Sequence, residues 1–471
     1  MLIIRIRFYY NKKGSRMILK KSFILLSLLF SSHSLTAKIL NDLSLNDALN
    51  IMKNDNLELK ISKFNEQMKA HDAHMASGYN YGSLDVKFQA LRSNDAGNIF
   101  GFKLKSREAS FGDFGFSEFD NTNPNILTTQ PNDLNYPKTR NHYQTTLTYM
   151  LPIFTGGKLS QYGKITKALT YMSQLDTEKL LNEKVFQTKK TFYDISLIEQ
   201  YTHNLKNIVM NINKLEEIVS NMRQEGFAKE IDELEVKSRK SEAQSLLSQA
   251  TYNEELAYQY LSFLLNQEVK SIQTLDKLAP MPNVNEAEFS ENNLDIQKAE
   301  LGLKITDMAI KLEESKFLPT VGAFGEYGSA DNQAFNEFRK KDFYTVGLQL
   351  EWNLFNGDVD RQSLQKAKIE NMKVQDQVEL AKAGITLQVK KLTTNIKSKN
   401  AEIKSLETQY SFAEKVYENY EGRYQEGISS ISDVLIKQSK ELEVLLKLLT
   451  AKNDRNAKVF ELTSILNMGE K

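Results

Sequence analysis

Residues 158–225 run for 68 positions without a proline and with a single glycine, Gly163. Within them Leu205, Ile208, Ile212, Leu215, Val219 and Met222 are spaced by alternating threes and fours. Residues 358–426 keep the same phase through Ile385, Val389, Leu392, Ile396, Ile403, Leu406, Tyr410, Ala413, Tyr417, Tyr420 and Tyr424, broken only at Lys399. Sustained 3-4 spacing puts the apolar side chains on one narrow seam, which means coiled-coil packing rather than the wider stripe of an ordinary surface helix. At 1.5 Å rise per residue each segment predicts a helix roughly 100 Å long. Gly226 and Gly427, able to take positive φ, are the natural reversal points. Return helices over 227–267 and 428–468 then run about 60 Å. A helix over 291–316 is expected to continue the first return upward, and an N-terminal helix over 44–77 to continue the second. A chain of 471 residues would ordinarily suggest about three domains; two such rods suggest one elongated plan instead.

The rods belong to two copies of one pattern. Leu151-Pro152-Ile153-Phe154-Thr155-Gly156-Gly157 resembles Trp352-Asn353-Leu354-Phe355-Asn356-Gly357-Asp358, and Gln224-Glu225-Gly226-Phe227 resembles Gln425-Glu426-Gly427-Ile428, both at an offset of 201. Asp232 and Leu234 match Asp433 and Leu435 at that offset. Upstream, Asn56-Leu57-Glu58-Leu59 resembles Asn293-Leu294-Asp295-Ile296 at an offset of 237, which locates a 36-residue insertion between Leu57 and Phe154. Agreement of separated matches on one offset indicates duplication. The expected division is a leader over 1–37, a first repeat over 38–290 with a linker at 268–290, and a second repeat over 291–471.

Four segments switch to a period of two. Leu84, Val86, Phe88 and Ala90 alternate with Asp85, Lys87 and Gln89; Tyr143, Leu147, Tyr149, Leu151 and Ile153 alternate with Gln144, Thr146 and Thr148. Tyr344, Val346, Leu348, Leu350, Trp352 and Leu354 alternate with Thr345, Gln349, Glu351 and Asn353, and a weaker strand covers Val321–Tyr327. The predicted strands are about 84–91, 143–154, 320–327 and 343–355. A half-buried soluble sheet would read the same way, but an exported chain with 100 Å helices favours lipid on one face and water on the other. Four strands cannot close a barrel around a channel, whereas three copies supply twelve. The first hairpin loop, 92–142, carries the insertion with Phe111, Phe114, Phe116 and Phe119. It either caps the outer mouth or packs on its neighbours.

Lys20-Lys21, the apolar run Phe23–Phe30 and the small or polar residues through Ala37 form a secretory leader, too short to span a bilayer as a helix. The absence of cysteine excludes a disulfide framework, a thiolate metal site and a lipidated cysteine. A mean hydropathy of −0.46 excludes a bundle of membrane-spanning helices, though not strands. A net charge of +1 offers no footprint for nucleic acid. Residues 1–37 hold seven bases and no acid, so the remainder carries 54 basic and 60 acidic side chains.

Together with Phe317-Leu318-Pro319-Thr320-Val321 and Tyr424-Gln425-Glu426-Gly427-Ile428-Ser429-Ser430-Ile431-Ser432-Asp433-Val434-Leu435, these motifs resemble the TolC family of outer-membrane efflux proteins over about residues 44–468. The resemblance implies a mainly α chain with a membrane β-barrel. It implies a homotrimer whose twelve-stranded barrel in outer-membrane lipid is continued by a long coiled-coil α-barrel across the periplasm of a Gram-negative cell. Such a trimer is a passive exit duct, recruited by a periplasmic adaptor (a membrane fusion protein) and driven through it by an inner-membrane pump or a type I secretion system. Cargo is small toxic molecules, metal ions or proteins. The rival reading is a structural coiled-coil protein at the surface or in the periplasm, without transport.

No catalytic constellation, cofactor loop or metal quartet occurs in the sequence; His71 and His74 share a helix face but are two ligands only. The resemblance matches Asp433 to a position lining the family's periplasmic constriction, with Asp232 and Ile436 the other candidates there. A carboxylate ring in a narrow pore favours cations. Alternatively Asp433 and Asp232 cap the return helices. Tyr424 and Arg423 are candidates to tether the helix ends by hydrogen bonds across helices. Gly226, Phe227, Gly427 and Ile428 are the expected adaptor-contact tips.

Overall fold

A computed structural model of the chain describes residues 39–275, 277–284 and 292–467. The expected leader at residues 1–37 and residues 285–291, in and beside the expected linker, lie outside the described residues. The described chain enters through α1 (Leu45–Asp55) and α2 (Leu57–Gly78) and crosses into β1 (Ser83–Ser93). An excursion carrying α3 (Ala96–Lys105) and the one-turn α4 (Asn132–Asn135) leads to β2 (Arg140–Phe154). Next come the rod α5 (Lys158–Gln224), its return α6 (Glu230–Leu265) and α7 (Leu294–Glu314). Then follow β3 (Thr320–Asp331), β4 (Asp342–Glu351), the second rod α8 (Val359–Gln425) and its return α9 (Ile431–Ile465).

Both rods are 67 residues long. The β1–β2 connection holds 46 residues (94–139) and the β3–β4 connection 10 (332–341), a difference of 36 that equals the expected insertion. The heptad seams are the buried stripes: Leu205, Ile212, Leu215 and Val219 on α5, and Val389, Leu392, Ile396, Ile403, Leu406, Ala413 and Tyr417 on α8. Lys399, which breaks the phase, sits 3.2 Å from Asp454 on α9 and 3.0 Å from Glu402, so an ion pair takes the place of a seam contact. The apolar core is a series of clusters along the hairpins. One, near the middle, gathers Leu49, Met52, Phe192, Ile195, Leu261 and Leu265. Another, at the tips, is shared by both hairpins.

The middle of the molecule corrects one expectation. Asn56 breaks the expected single helix over 44–77 into α1 and α2. Its side chain accepts the Leu59 N–H (3.0 Å) and its amide donates to the Leu264 carbonyl (2.9 Å). Asn293 repeats this, accepting from Asp295 and Ile296 (both 3.0 Å) and donating to the Ile465 carbonyl (2.8 Å). Each asparagine thus satisfies free donors at the start of an upper helix and a free carbonyl at the end of the return helix below it. It follows that α2 continues α6 and α7 continues α9, the reverse of the pairing expected. Consistent with this, α2 packs along α5 and α7 along α8.

The four strands form one antiparallel sheet in the order β1-β2-β3-β4. Its register aligns Val86–Leu147–Tyr327–Tyr344 and Leu84–Tyr149–Gly325–Val346 across one face, and Asp85–Thr148–Glu326–Thr345 across the other. The fourth strand stops at Glu351 rather than 355. Asn353 accepts the Phe355 N–H at 3.2 Å, a local turn that removes these residues from the ladder.

Candidate functional site

The sheet is inverted relative to that of a soluble domain. Val86 and Leu348 keep 73% and 72% of their surface exposed, and Leu84, Tyr344, Val346 and Leu350 are exposed beside them. His142, Gln144 and Thr146, on the opposite face, are buried. A soluble sheet hides its apolar face, and an exposed apolar patch of this extent marks a surface that water does not cover in use. The strands have 11, 15, 12 and 10 residues, each at least the roughly 9 that a tilted strand needs to cross a bilayer. Among the described residues no helix is long and apolar enough to cross one.

Aromatic side chains gather at both ends of the apolar rows. At one end Phe88 stacks on Tyr143 (6.3 Å) and on Phe335 (5.2 Å). At the other, the Tyr149 hydroxyl donates to the Tyr81 carbonyl (2.8 Å), Trp352 Nε1 donates to the Phe317 carbonyl (3.1 Å), and Tyr79 packs on Tyr162. Tyr and Trp rings, apolar but for one polar atom, suit the two borders of a lipid layer, and the phenylalanines add apolar surface beside them. Strands β1 and β4 both end the sheet, so each presents an unpaired row of backbone donors and acceptors, an arrangement that calls for another strand.

At the far end of the rods, Gly226 (φ +80°) and Gly427 (φ +74°) reverse the chain in the left-handed region, where a side chain would be strained. The residues after them, Phe227 and Ile428, are 80% and 60% exposed. Both candidate aspartates lie in the first turn of a return helix and bond back to its capping residue, Lys229 or Ser430. Ser430 Oγ accepts the Asp433 N–H (3.1 Å) and donates to Asp433 Oδ2 (2.7 Å). Asp232 Oδ2 accepts the Lys229 N–H (2.8 Å). Asp433 and Ile436 remain exposed, and Asp232 is half-buried. Tyr424 reaches across helices to the Met222 sulfur (3.4 Å), whereas Arg423 lies over the Tyr420 ring of its own helix, 5.5 Å from the centroid. Of the expected tether pair, the structure therefore places only Tyr424 across a helix boundary.

Sequence reasoning missed several residues at this end. Glu233 holds both Arg223 on α5 and Lys237 (2.6 Å), and Ser432 donates to Glu235 (2.5 Å), joining the two hairpins. Hydrogen bonds from Lys237 and Arg223 hold the Glu233 carboxyl below its ordinary value. Glu441 on α9 behaves in the opposite way. Burial, and then the charges of Glu414, Glu418 and Glu421, push its carboxyl up to about 7. Its partners lie on the antiparallel helix, so no local sequence pattern announces them. The Asn56 and Asn293 splices did have a signal, their match at an offset of 237. His71 and His74 stand with ring centroids 6.4 Å apart, and among the described residues no cluster of three or more metal-ligating side chains occurs.

Residues 287–468 match the family model described as outer membrane efflux protein. No curated protein matches the chain in sequence. Among solved structures, the fold is similar to the Campylobacter jejuni CmeC outer membrane channel, with a TM-score of 0.75 at 14% identity, covering 90% of this chain and 85% of that one. It is similar to the open state of the Neisseria gonorrhoeae MtrE outer membrane channel (TM-score 0.71, 13% identity, 90% and 88% covered). It is also similar to the outer membrane protein VceC of Vibrio cholerae (TM-score 0.70, 13% identity, 90% and 96% covered).

Proposed function

We propose that this chain, which carries an outer membrane efflux protein domain over residues 287–468, is one third of a passive exit duct in the outer membrane. The observation that carries the reading is the inverted sheet: an apolar face turned outward, bordered by aromatic side chains, with both edges unpaired. Pairing β4 of one copy with β1 of the next satisfies both edges and covers no part of the apolar face, which is left for lipid. Three copies supply twelve strands, enough to enclose a lumen. The rods then continue the wall as a helical barrel through the periplasm, built from the two repeats at 38–290 and 291–471. A coiled-coil fibre has no use for such a sheet.

The work is passage, so energy comes from elsewhere. A periplasmic adaptor meeting Gly226-Phe227 and Gly427-Ile428 fits two exposed apolar residues on rigid turns, and through it an inner-membrane pump would supply the drive. Asp433, with Ile436 one turn along, stands at the proposed periplasmic constriction, with Asp232 at its margin; Tyr424 braces the helix ends there. The test is fractionation followed by reconstitution. The mature protein is expected in the outer-membrane fraction as a trimer that forms discrete conductance steps in planar bilayers. Recovery as a soluble monomer without conductance would overturn the reading.

A further inference from the structure

We infer that the β1–β2 connection, residues 94–139, folds into the lumen as a plug and forms a second, outer constriction that limits the size of solute the duct passes. The inference rests on the duct reading, because it needs one face of the sheet to be the lumen. On that reading the face bearing Leu84, Val86, Val346 and Leu348 belongs to lipid. The connection lies on the other face. Phe102 of α3 stacks flat on His142, with centroids 4.1 Å apart and planes within 4°. Lys105 of the same helix reaches the Gln144 side chain at 3.4 Å. His142 and Gln144 share the polar face with Thr146, and all three are buried, whereas Asp85, Lys87 and Thr345 on that face stay exposed. The polar face is therefore shielded beneath the connection and open below it.

The connection is fixed as well as placed. Glu108 pairs with both Arg140 at the start of β2 and Lys341 of the β3–β4 connection. Lys341 is itself buried and lies 2.8 Å from Asp331 at the end of β3. Arg140 also donates to Ser106 at 3.0 Å, and Arg107 donates to the Asp342 carbonyl. Inside the connection, Lys103 pairs with Asp113, which joins the segment around Phe111 to α3. Lys341 and Asp331 are buried and costly to strand, so the partly buried pairs around them hold the connection against the wall as a unit.

Size makes the consequence plain. Eight strands enclose a space that side chains alone fill, and sixteen leave an open channel. Twelve lie between, and three inward helices each about 10 Å across would take up much of that lumen. The shorter β3–β4 connection has only 10 residues with which to do so.

The chain has no cysteine, so a single introduced one is labelled uniquely. Phe111, tied to α3 yet exposed, is the site: trimers of Phe111→Cys are compared in planar bilayers before and after reaction with a bulky polyethylene-glycol maleimide. The labelled channel is expected to lose most of its single-channel current, and Phe116→Cys serves if the first variant does not assemble. Freeing the plug with Phe102→Ala and Glu108→Gln together is expected to raise the largest polymer that enters from the outer side. Wild-type conductance with neither change would overturn the plug and leave the duct standing; absence of any wild-type conductance would overturn the duct reading itself.

Discussion

The two hairpin tips use one turn on two different seams. In both, the rod ends, a glycine at φ +80° or +74° reverses the chain, and an aspartate in the first turn of the return helix bonds back to the capping residue. Behind the first turn the helices are joined by ions: Arg223 on Glu233, which Lys237 of its own helix also holds, and Lys240 on Glu216 at 2.6 Å. Behind the second they are joined by rings: Tyr417 is buried, Tyr424 packs on the shared cluster, and Tyr420 lies between Arg423 and Lys437, whose ammonium is 5.1 Å from its centroid. The turn is specified by a glycine and a cap, which leaves the seam free to differ. Seam chemistry then decides how each hairpin answers to its surroundings, while the contact residues at the tip keep their geometry.

The largest expected effect tests what the two tips share. Leu435 is 1% exposed in a cluster that takes Ile212, Leu215, Val219 and Val236 from the first hairpin and Tyr417, Ile431 and Val434 from the second. Leu435→Ala is expected to cost about 2–5 kcal/mol locally and to speed amide exchange at both tips. Exchange that rises around 427–440 alone would show that the hairpins are energetically separate.

The common features were legible because they are local. A 3-4 spacing, a two-residue alternation and a fixed offset each sit within a stretch of chain, and they gave the rods, the strands and the size of the insertion. The seam chemistry was not legible. Glu441 looks like any solvated helix glutamate until Glu414, Glu418 and Glu421 are brought against it by the antiparallel rod. Similarly, which upper helix continues which return helix shows only in contacts between distant positions: Asn56 to Leu264, 208 positions away, and Asn293 to Ile465. Of the candidate site, the reversing glycines and the first-turn aspartates were readable, whereas Arg423 was expected across helices and stays on its own.

Acid should separate the tips by sign. The Glu441 carboxyl rises from an ordinary 4.5 to about 7 in the fold. Between these values the unfolded chain releases a proton that the folded chain keeps, so stability falls as pH rises through this range and recovers on acidification. For Glu233 the shift is downward. Its contribution is present above the ordinary carboxylate value and is lost only as pH falls through the lowered one. Going from pH 8 to pH 5 should therefore tighten the second hairpin around Glu441 while leaving the Glu233 ion pairs at the first tip unchanged, and further acid should loosen those pairs. Glu441→Gln is expected to hold the second hairpin near its acid stability at pH 8, a gain on the order of 1–3 kcal/mol. Amide exchange over 431–465, corrected for intrinsic rates, measures this; a variant as pH-dependent as the parent would remove Glu441 as the cause.

The smallest structural effect separates the two aspartates by function. Replacing either carboxyl with alanine removes a hydrogen bond to the capping residue, worth about 0.5–1.5 kcal/mol, so stability alone cannot tell this bracing from a role in the pore. Asparagine can. Asp433→Asn keeps an oxygen to accept from Ser430 and discards the charge; Asp232→Asn does the same toward the Lys229 N–H. Asp433 is exposed at the proposed constriction and Asp232 is half-buried. In planar bilayers Asp433→Asn should weaken block by multivalent cations added on the periplasmic side, because in the proposed trimer three carboxylates leave the constriction at once. Asp232→Asn should change it less, with the melting temperature of both held near the parent. Equal block in parent and Asp433→Asn would leave Asp433 as a brace of the Ser430 cap and move the selectivity of the proposed duct away from this tip.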